Sequence, residues 1–226
     1  MTLLCIESTA FHSSVALFEG ETFIVDKESD VPNSHSEFLA KMIDDSLKQS
    51  KLKPSDLSGI AVSKGPGSYT SLRVGASLAK GMCFALDIPL MAIDSLLITA
   101  FPYFSNDDIA DFMVIPTIDA RRDEAYISLY THTGELIEAA HPHIFQASSF
   151  MHLNRGKLII CGNAAKKAGD IIQDSSIRIA ESHPHAKYMG NIAYQLYREE
   201  SFADVAYFEP NYIKLPNITT PKKPLI

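Results

Sequence analysis

The sequence predicts an α/β protein of two similar lobes, each a sheet covered by helices. Apolar runs of strand length alternate with amphipathic runs of helical period, and an opening pattern of strand, acid, polar turn and strand returns in the second half of the chain. With 226 residues, 46% of them hydrophobic, there is material for two small cores, since domains commonly run to about 100–200 residues. We expect a first lobe over residues 1–101, a second over 102–214 and a mobile tail over 215–226.

Leu3 to Ile6 reads as a strand, Glu7-Ser8-Thr9-Ala10 as a polar turn and Ser13 to Phe18 as the returning strand; Glu19-Gly20-Glu21 then turns into a third strand at Phe23 to Val25. Ser34-His35-Ser36-Glu37 has capping-box spacing, in which the Ser34 hydroxyl and the Glu37 carboxylate satisfy free N–H groups at a helix start. Phe38, Leu39, Met42, Ile43 and Leu47 follow at helical period until Lys53-Pro54 closes the element. Gly59 to Ser63 reads as a buried strand, Gly65-Pro66-Gly67-Ser68-Tyr69-Thr70 as a tight loop, and Ser71 to Leu86 as a second helix ending before Pro89. Gly75 and Gly81 lie inside that helix, where glycine costs about 1 kcal/mol relative to alanine. Each therefore needs a close neighbour, from the chain's own sheet or from another molecule.

Residues 102–112 form the expected seam, and the opening pattern then repeats: Val114 to Ile118, Asp119 at the strand end, a polar turn, Ala125 to Tyr130, and Gly134-Glu135. Leu158 to Cys161 and Ile177 to Ala180 read as strands, with helices near Ala164 to Gln173 and Ala186 to Arg198.

Charge narrows the function classes. Twenty Lys+Arg stand against 27 Asp+Glu for a net −7, and the basic residues towards the C-terminus are Lys214, Lys222 and Lys223, so neither half is a lobe built to grip nucleic acid. Cys5, Cys83 and Cys161 sit far apart in apolar runs, as buried thiols of a reducing compartment do. The N-terminus meets Glu7 too early for a signal peptide, and Arg73, Lys80, Asp87 and Asp94 break the longest apolar stretch below the roughly 20 residues of a membrane span. The expected location is the cytoplasm.

The loop before Arg73 has the glycines and hydroxyls of an anion site at a helix start, and equally those of a tight strand-to-helix turn. It lacks the Gly-Lys-Ser/Thr of a Walker loop and the closing glycine of a nucleophile elbow. A helical metal pair needs histidines at i and i+4, and His35 meets Leu39 there. His141-Pro142-His143 and His183-Pro184-His185 read as surface loop histidines without a carboxylate at ligand spacing. No metal and no cofactor is expected.

A duplicated strand–acid–turn lobe resembles the actin, Hsp70 and sugar-kinase superfamily, which implies Glu7 and Asp119 facing each other across a nucleotide cleft. Active members have glycine-rich phosphate turns. Here the turns are Glu7-Ser8-Thr9-Ala10 and Asp119-Ala120-Arg121-Arg122, so the cleft, with Glu7, Ser8, Thr9 and Asp119, is expected to be vestigial.

Gly65-Pro66-Gly67-Ser68-Tyr69-Thr70-Ser71-Leu72-Arg73-Val74-Gly75 closely resembles the signature Gly-Pro-Gly-Ser-Phe-Thr-Gly-Leu-Arg-Ile-Gly of the bacterial TsaB (YeaZ) family, which takes part in making threonylcarbamoyladenosine in tRNA. The opening hairpin, Ser34 to Glu37, Lys80-Gly81 to Leu96, Asp119-Ala120-Arg121 with Glu124-Ala125-Tyr126, Gly162-Asn163-Ala164 and Glu209 to Lys214 extend the likeness over nearly the whole chain. It departs from the family at Glu7, usually Asp, at Ser71, usually Gly, and at Ile213-Lys214, usually Leu-Arg.

The resemblance implies a non-catalytic subunit that supports the paralogue TsaD, whose i, i+4 histidine pair this chain lacks. It implies a heterodimer with a TsaD-like subunit, a TsaE-like ATPase in the larger complex and tRNA reached only through the complex, and it leaves homodimer and monomer both open for the chain when alone. In that family the two first-lobe helices make the contact; the candidates here are Leu39, Met42 and Ser46 on the first, and Leu72, Ala76, Ala79 and Cys83 on the second. Gly65, Pro66, Gly67, Ser68, Thr70 and Arg73 form the motif loop. The alternative is a metal- or ATP-dependent enzyme of the same superfamily, a glycoprotease-like hydrolase or a small-molecule kinase.

Overall fold

The computed structural model describes residues 1–9, 12–29, 35–104, 112–154 and 157–214, with side chains of the first helix described from Phe38 onward. The capping box at Ser34 to Glu37, most of the seam and the tail over 215–226 lie outside those limits.

Two five-stranded sheets form the frame. The first contains β1 (Thr2–Glu7), β2 (Ser14–Glu19), β3 (Thr22–Glu28), β4 (Leu57–Ser63) and β5 (Leu90–Ile93), in the order β3-β2-β1-β4-β5. The second contains β6 (Met113–Asp119), β7 (Glu124–Thr131), β8 (Leu136–Ile144), β9 (Leu158–Gly162) and β10 (Arg178–Glu181), in the order β8-β7-β6-β9-β10. The orders match strand for strand. In each sheet the first three strands are antiparallel and the last three parallel, with Leu4 opposite Leu17 and Ile60, and Val114 opposite Tyr130 and Ile159. The lobe seen twice in the sequence is thus a real duplication of the α/β fold.

Both faces of the central strands are covered, so these strands are apolar on both sides rather than alternating. Leu4 and Ile6 of β1 pack towards α1 (His35–Gln49) and α2 (Tyr69–Leu86), together with Leu39, Ile43, Leu47, Ala79 and Cys83. Leu3 and Cys5 face the other way, onto Met189 and Ala193 of the segment that includes α5 (Gly190–Arg198). In the second sheet Leu158 and Ile160 meet α4 (Ala165–Ile172) through Ala165, Ala168 and Ile172, while Ile159 and Cys161 meet Ala100 at the end of α3 (Ser95–Ala100). The last helix of each half therefore lies on the sheet of the other half. All three cysteines are buried free thiols, and burial pushes the Cys83 thiol up to about 12.

Some expectations need correction. Strand β8 and helix α3 are elements that the sequence pattern does not predict. His141 and His143 consequently stand on an edge strand and not in a loop. His185 is no surface histidine: it is 4% exposed, with Nε2 3.5 Å from Asp26 Oδ2 and 3.8 Å from Glu28 Oε2. Among the described residues no helix is long and apolar enough to cross a membrane.

Candidate functional site

The motif loop joins three distant segments. Strand β4 ends at Ser63, and the chain must turn sharply to start α2, for which Ser68 is the N-cap residue. At the same place β1 ends in Glu7, wholly buried, whose Oε1 accepts the Thr9 N–H at 2.5 Å and the Thr9 hydroxyl. The two turns are laced together. Ser8 N–H donates to Ser63 Oγ (3.3 Å), Ser8 Oγ donates to the Ser71 carbonyl (3.0 Å), and Ser68 N–H donates to the Thr9 carbonyl (3.2 Å).

The glycines of the motif are explained by this lacing. A Cβ on Gly67 would stand 2.5 Å from Thr9 Cβ, and one on Gly75 would stand 2.3 Å from Ser8 Oγ. Gly65 has a φ of 101°, and a Cβ there would meet the Asn211 carbonyl at 2.7 Å. The Asn211 N–H donates to the Lys64 carbonyl at 2.6 Å. Beside it the Tyr212 ring lies 4.6 Å from that of Tyr69, which carries the Arg73 guanidinium 4.3 Å above its centroid. Of the two readings open for this loop, a tight turn is the one these contacts describe. Its glycines admit the chain's own segments, and Arg73 helps to hold the C-terminal segment.

The acid of the second lobe has a different environment. Asp119 is about half exposed, its N–H donates to Asn163 Oδ1 (2.8 Å), and its carboxylate pairs with Lys167 Nζ. The same ammonium donates to the carbonyls of Arg122 (2.8 Å) and Glu124 (2.7 Å). Arg121 and Arg122 both have positive φ, 73° and 49°, in the turn where a phosphate loop would use glycine. A lysine thus already neutralises the acid expected to face a nucleotide.

The seven expected contact residues fall on the inner side of their helices. Leu39, Met42, Ser46, Leu72, Ala76, Ala79 and Cys83 are all buried by the chain's own core, so none offers side-chain surface to a partner. The outward side of α2 carries Ser77, Gly81 and Phe84 at i, i+4 and i+7. Phe84 is 85% exposed, and a Cβ on Gly81 would meet nothing within 4 Å. Helix α2 carries apolar residues on both sides, so its period alone does not say which side is the core; the hint is Phe84, five residues on from Ala79 and so on the far side of the helix. On α1 the exposed residues include Lys41, Asp44, Asp45 and Lys48, with Asp44 and Lys48 paired at 2.5 Å. Ser63, Asn211, Tyr212 and Lys167 also belong to these two sites; Asn211 and Tyr212 lie in the Glu209 to Lys214 segment of the family likeness, but nothing local ties any of the four to its site.

Known proteins resemble this chain along its length. A family model described as TsaD, tRNA N6-adenosine threonylcarbamoyltransferase, matches residues 29–221. The tRNA threonylcarbamoyladenosine biosynthesis protein TsaB of Bacillus subtilis is 29% identical over 222 residues, 95% of each chain, and that of Escherichia coli is 26% identical over 228 residues, again 95% of each. The crystal structure of an uncharacterized Pseudomonas aeruginosa protein with similarity to peptidase YeaZ superposes with a TM-score of 0.79 at 23% identity, covering 94% of this chain and 99% of the other. An activator of 2-hydroxyisocaproyl-CoA dehydratase from Clostridium difficile, with bound ADPNP, shares the two-lobed fold at a TM-score of 0.52 and 9% identity, covering 89% and 97%. Matched by the family model over most of its residues and by TsaB proteins over nearly all of them, the chain belongs to the threonylcarbamoyltransferase family, in its TsaB (YeaZ) branch.

Proposed function

We propose that this protein is a non-catalytic subunit of the machinery that makes threonylcarbamoyladenosine in tRNA, and that it docks on a TsaD-like catalytic subunit through the outward side of α2 and the adjoining α1. A TsaE-like ATPase joins the assembly in the cytoplasm, and tRNA is met through the partners' surfaces, as the net charge of −7 suggests. Without its partner the same face pairs two copies of the chain.

The observation that carries the reading is the open stripe of Ser77, Gly81 and Phe84. A helix that keeps a glycine with nothing near it, and beside it an almost fully exposed phenylalanine, gives up stability in the isolated chain and gains close approach in a complex. The turns support the non-catalytic part: Glu7 is tied to Thr9, and Asp119 to Lys167.

Gly81→Arg tests it. In the isolated chain the substitution is expected to leave the fold intact and raise the melting temperature slightly, because arginine is the better helix former. In a pull-down or calorimetric titration with the organism's TsaD-like protein, binding is expected to fall at least 100-fold. Wild-type affinity in the folded variant would overturn the docking face, and threonylcarbamoyl transfer by this chain alone would overturn the non-catalytic role.

A further inference from the structure

The second lobe contains a pocket of about 110 Å³ that the proposed docking face does not use. It lies over β7 and β8, where the first lobe has α1 lying on β2 and β3, and the turns around Phe150 to Leu153 close its far side. Its floor is apolar, from Ile127, Leu129 and Phe150, and its rim carries Glu138, His141 and His152.

A bulge in β8 brings the first two rim residues together. Leu129 pairs with Glu138 and Ile127 with His141, so a step of two residues on β7 spans three on β8. Residues three apart on a regular strand face opposite sides; the extra residue turns Glu138 and His141 to the same side. The sequence spacing therefore hid this carboxylate from the histidine.

The hydrogen bonds fix the tautomer. His141 Nδ1 lies 2.9 Å from the Ala139 carbonyl oxygen, which can only accept, so Nδ1 carries the proton. In the neutral ring Nε2 is then a lone pair, and it stands 3.6 Å from Glu138 Oε1. Two electron-rich atoms in this position are drawn together by a positive charge between them, which a proton on Nε2 or a metal ion can supply. Two ligands of a tetrahedral zinc ion, each about 2.0–2.1 Å from the metal, stand roughly 3.4 Å apart, close to this spacing. An Nδ1–H held by a backbone carbonyl is also the usual support of a metal-bound histidine.

We propose that Glu138 Oε1 and His141 Nε2 are the preset half of a binding site for a borderline divalent cation of the Zn²⁺ class, completed by His152 from the facing turn and by water. Among the described residues no three such side chains already converge on one point, so His152 swings in on binding. His143 stays out of the set, held by Ser149 Oγ at 2.9 Å and stacked on Phe150.

Calorimetric titration of the full chain with ZnCl₂, and with CoCl₂ read by visible absorption, tests the site. Saturable binding of one ion per chain is expected, weakened at least 10-fold by His141→Ala and by Glu138→Gln, weakened less by His152→Ala, and unchanged by His183→Ala. Cobalt is expected to show the intense visible bands of four-coordination. Glu138→Gln keeps the side chain's shape, so it decides the matter if His141→Ala fails to fold. The proposal is overturned by the absence of saturable binding, which leaves a proton as the bridging charge, by binding that survives Glu138→Gln undiminished, or by binding lost in His183→Ala.

Discussion

In the first lobe the sheet β3-β2-β1-β4-β5 is covered on one side by α1 and α2, helices of 15 and 18 residues. In the second lobe a sheet of the same order is covered on that side by turns and by α4, of 8 residues. The acids at the ends of β1 and β6 have parted in the same way: Glu7 is sealed in and bonded to its own turn, while Asp119 is half exposed and bonded to a lysine. Duplication preserved the sheets because both faces of their central strands are buried and their pairing is backbone to backbone, which tolerates little change. It released the coverings. One lobe has long helices with an outward side to present, and the other has turns, a short helix and a pocket.

The largest effect is expected where the second lobe's sheet leaves no room. Gly162, at the end of β9, has a φ of 110°, and a Cβ there would stand 2.0 Å from the Thr117 carbonyl oxygen. Gly162→Ala should cost roughly 3–5 kcal/mol in urea unfolding, from backbone strain and overpacking together. A cost below about 1 kcal/mol would mean that the second sheet is far less rigid than the first.

The two glycines of α2 come next and should move in opposite directions. Gly75→Ala drives a methyl group into Ser8 Oγ and should cost roughly 1–3 kcal/mol, part of which Ser8→Ala recovers in a double-mutant cycle. Gly81→Ala fills open space on the outward side and should stabilise the chain by up to about 1 kcal/mol. Equal signs would erase the distinction between the inner and outer sides of the helix.

Smaller effects probe the second acid and the contact between lobes. Lys167→Met removes an ammonium that binds Asp119 and two carbonyls, and because the pair is partly exposed the loss should be about 0.5–1 kcal/mol and shrink in high salt. His185 is packed against β3, facing Asp26 and Glu28, with His183 and Lys187 nearby; burial, the largest influence, lowers its pKa, and its Nδ1 accepts the Lys187 N–H at 3.1 Å. Its neutral form is therefore the native one. The stability it contributes is complete above the unfolded value of about 6.5 and is lost as the pH falls through the lowered native value. Urea unfolding at pH 7.5 and 5.5 should show an acid loss of the order of 1 kcal/mol or less that His185→Gln reduces.

Much of the frame was legible in the sequence. The strands at Leu3, Ser13, Gly59, Val114, Ala125 and Leu158 and the two long helices announced themselves by apolar period and by turn residues. Strand β8 did not, because Pro142 and a mixed polar pattern disguised an edge strand, and α3 did not, because six residues hold too little period to read. The motif loop is marked in the sequence by its glycines and proline, whereas the segments it packs against are not. Asn211 and Tyr212 are about 140 residues away along the chain, and nothing local marks them as its neighbours.

By itself the sequence determined the fold class, the duplication, the buried thiols and the family, because these depend on local period and on an eleven-residue motif whose chemistry is visible in line. Tertiary structure decided which side of α2 faces the core, why Gly75 and Gly81 differ, which cation meets Asp119, and that Glu138 and His141 stand together. Each of those depends on atoms brought close by packing or by one extra residue in a strand, and a linear pattern of hydrophobicity carries no record of which neighbour fills the space beside a given atom.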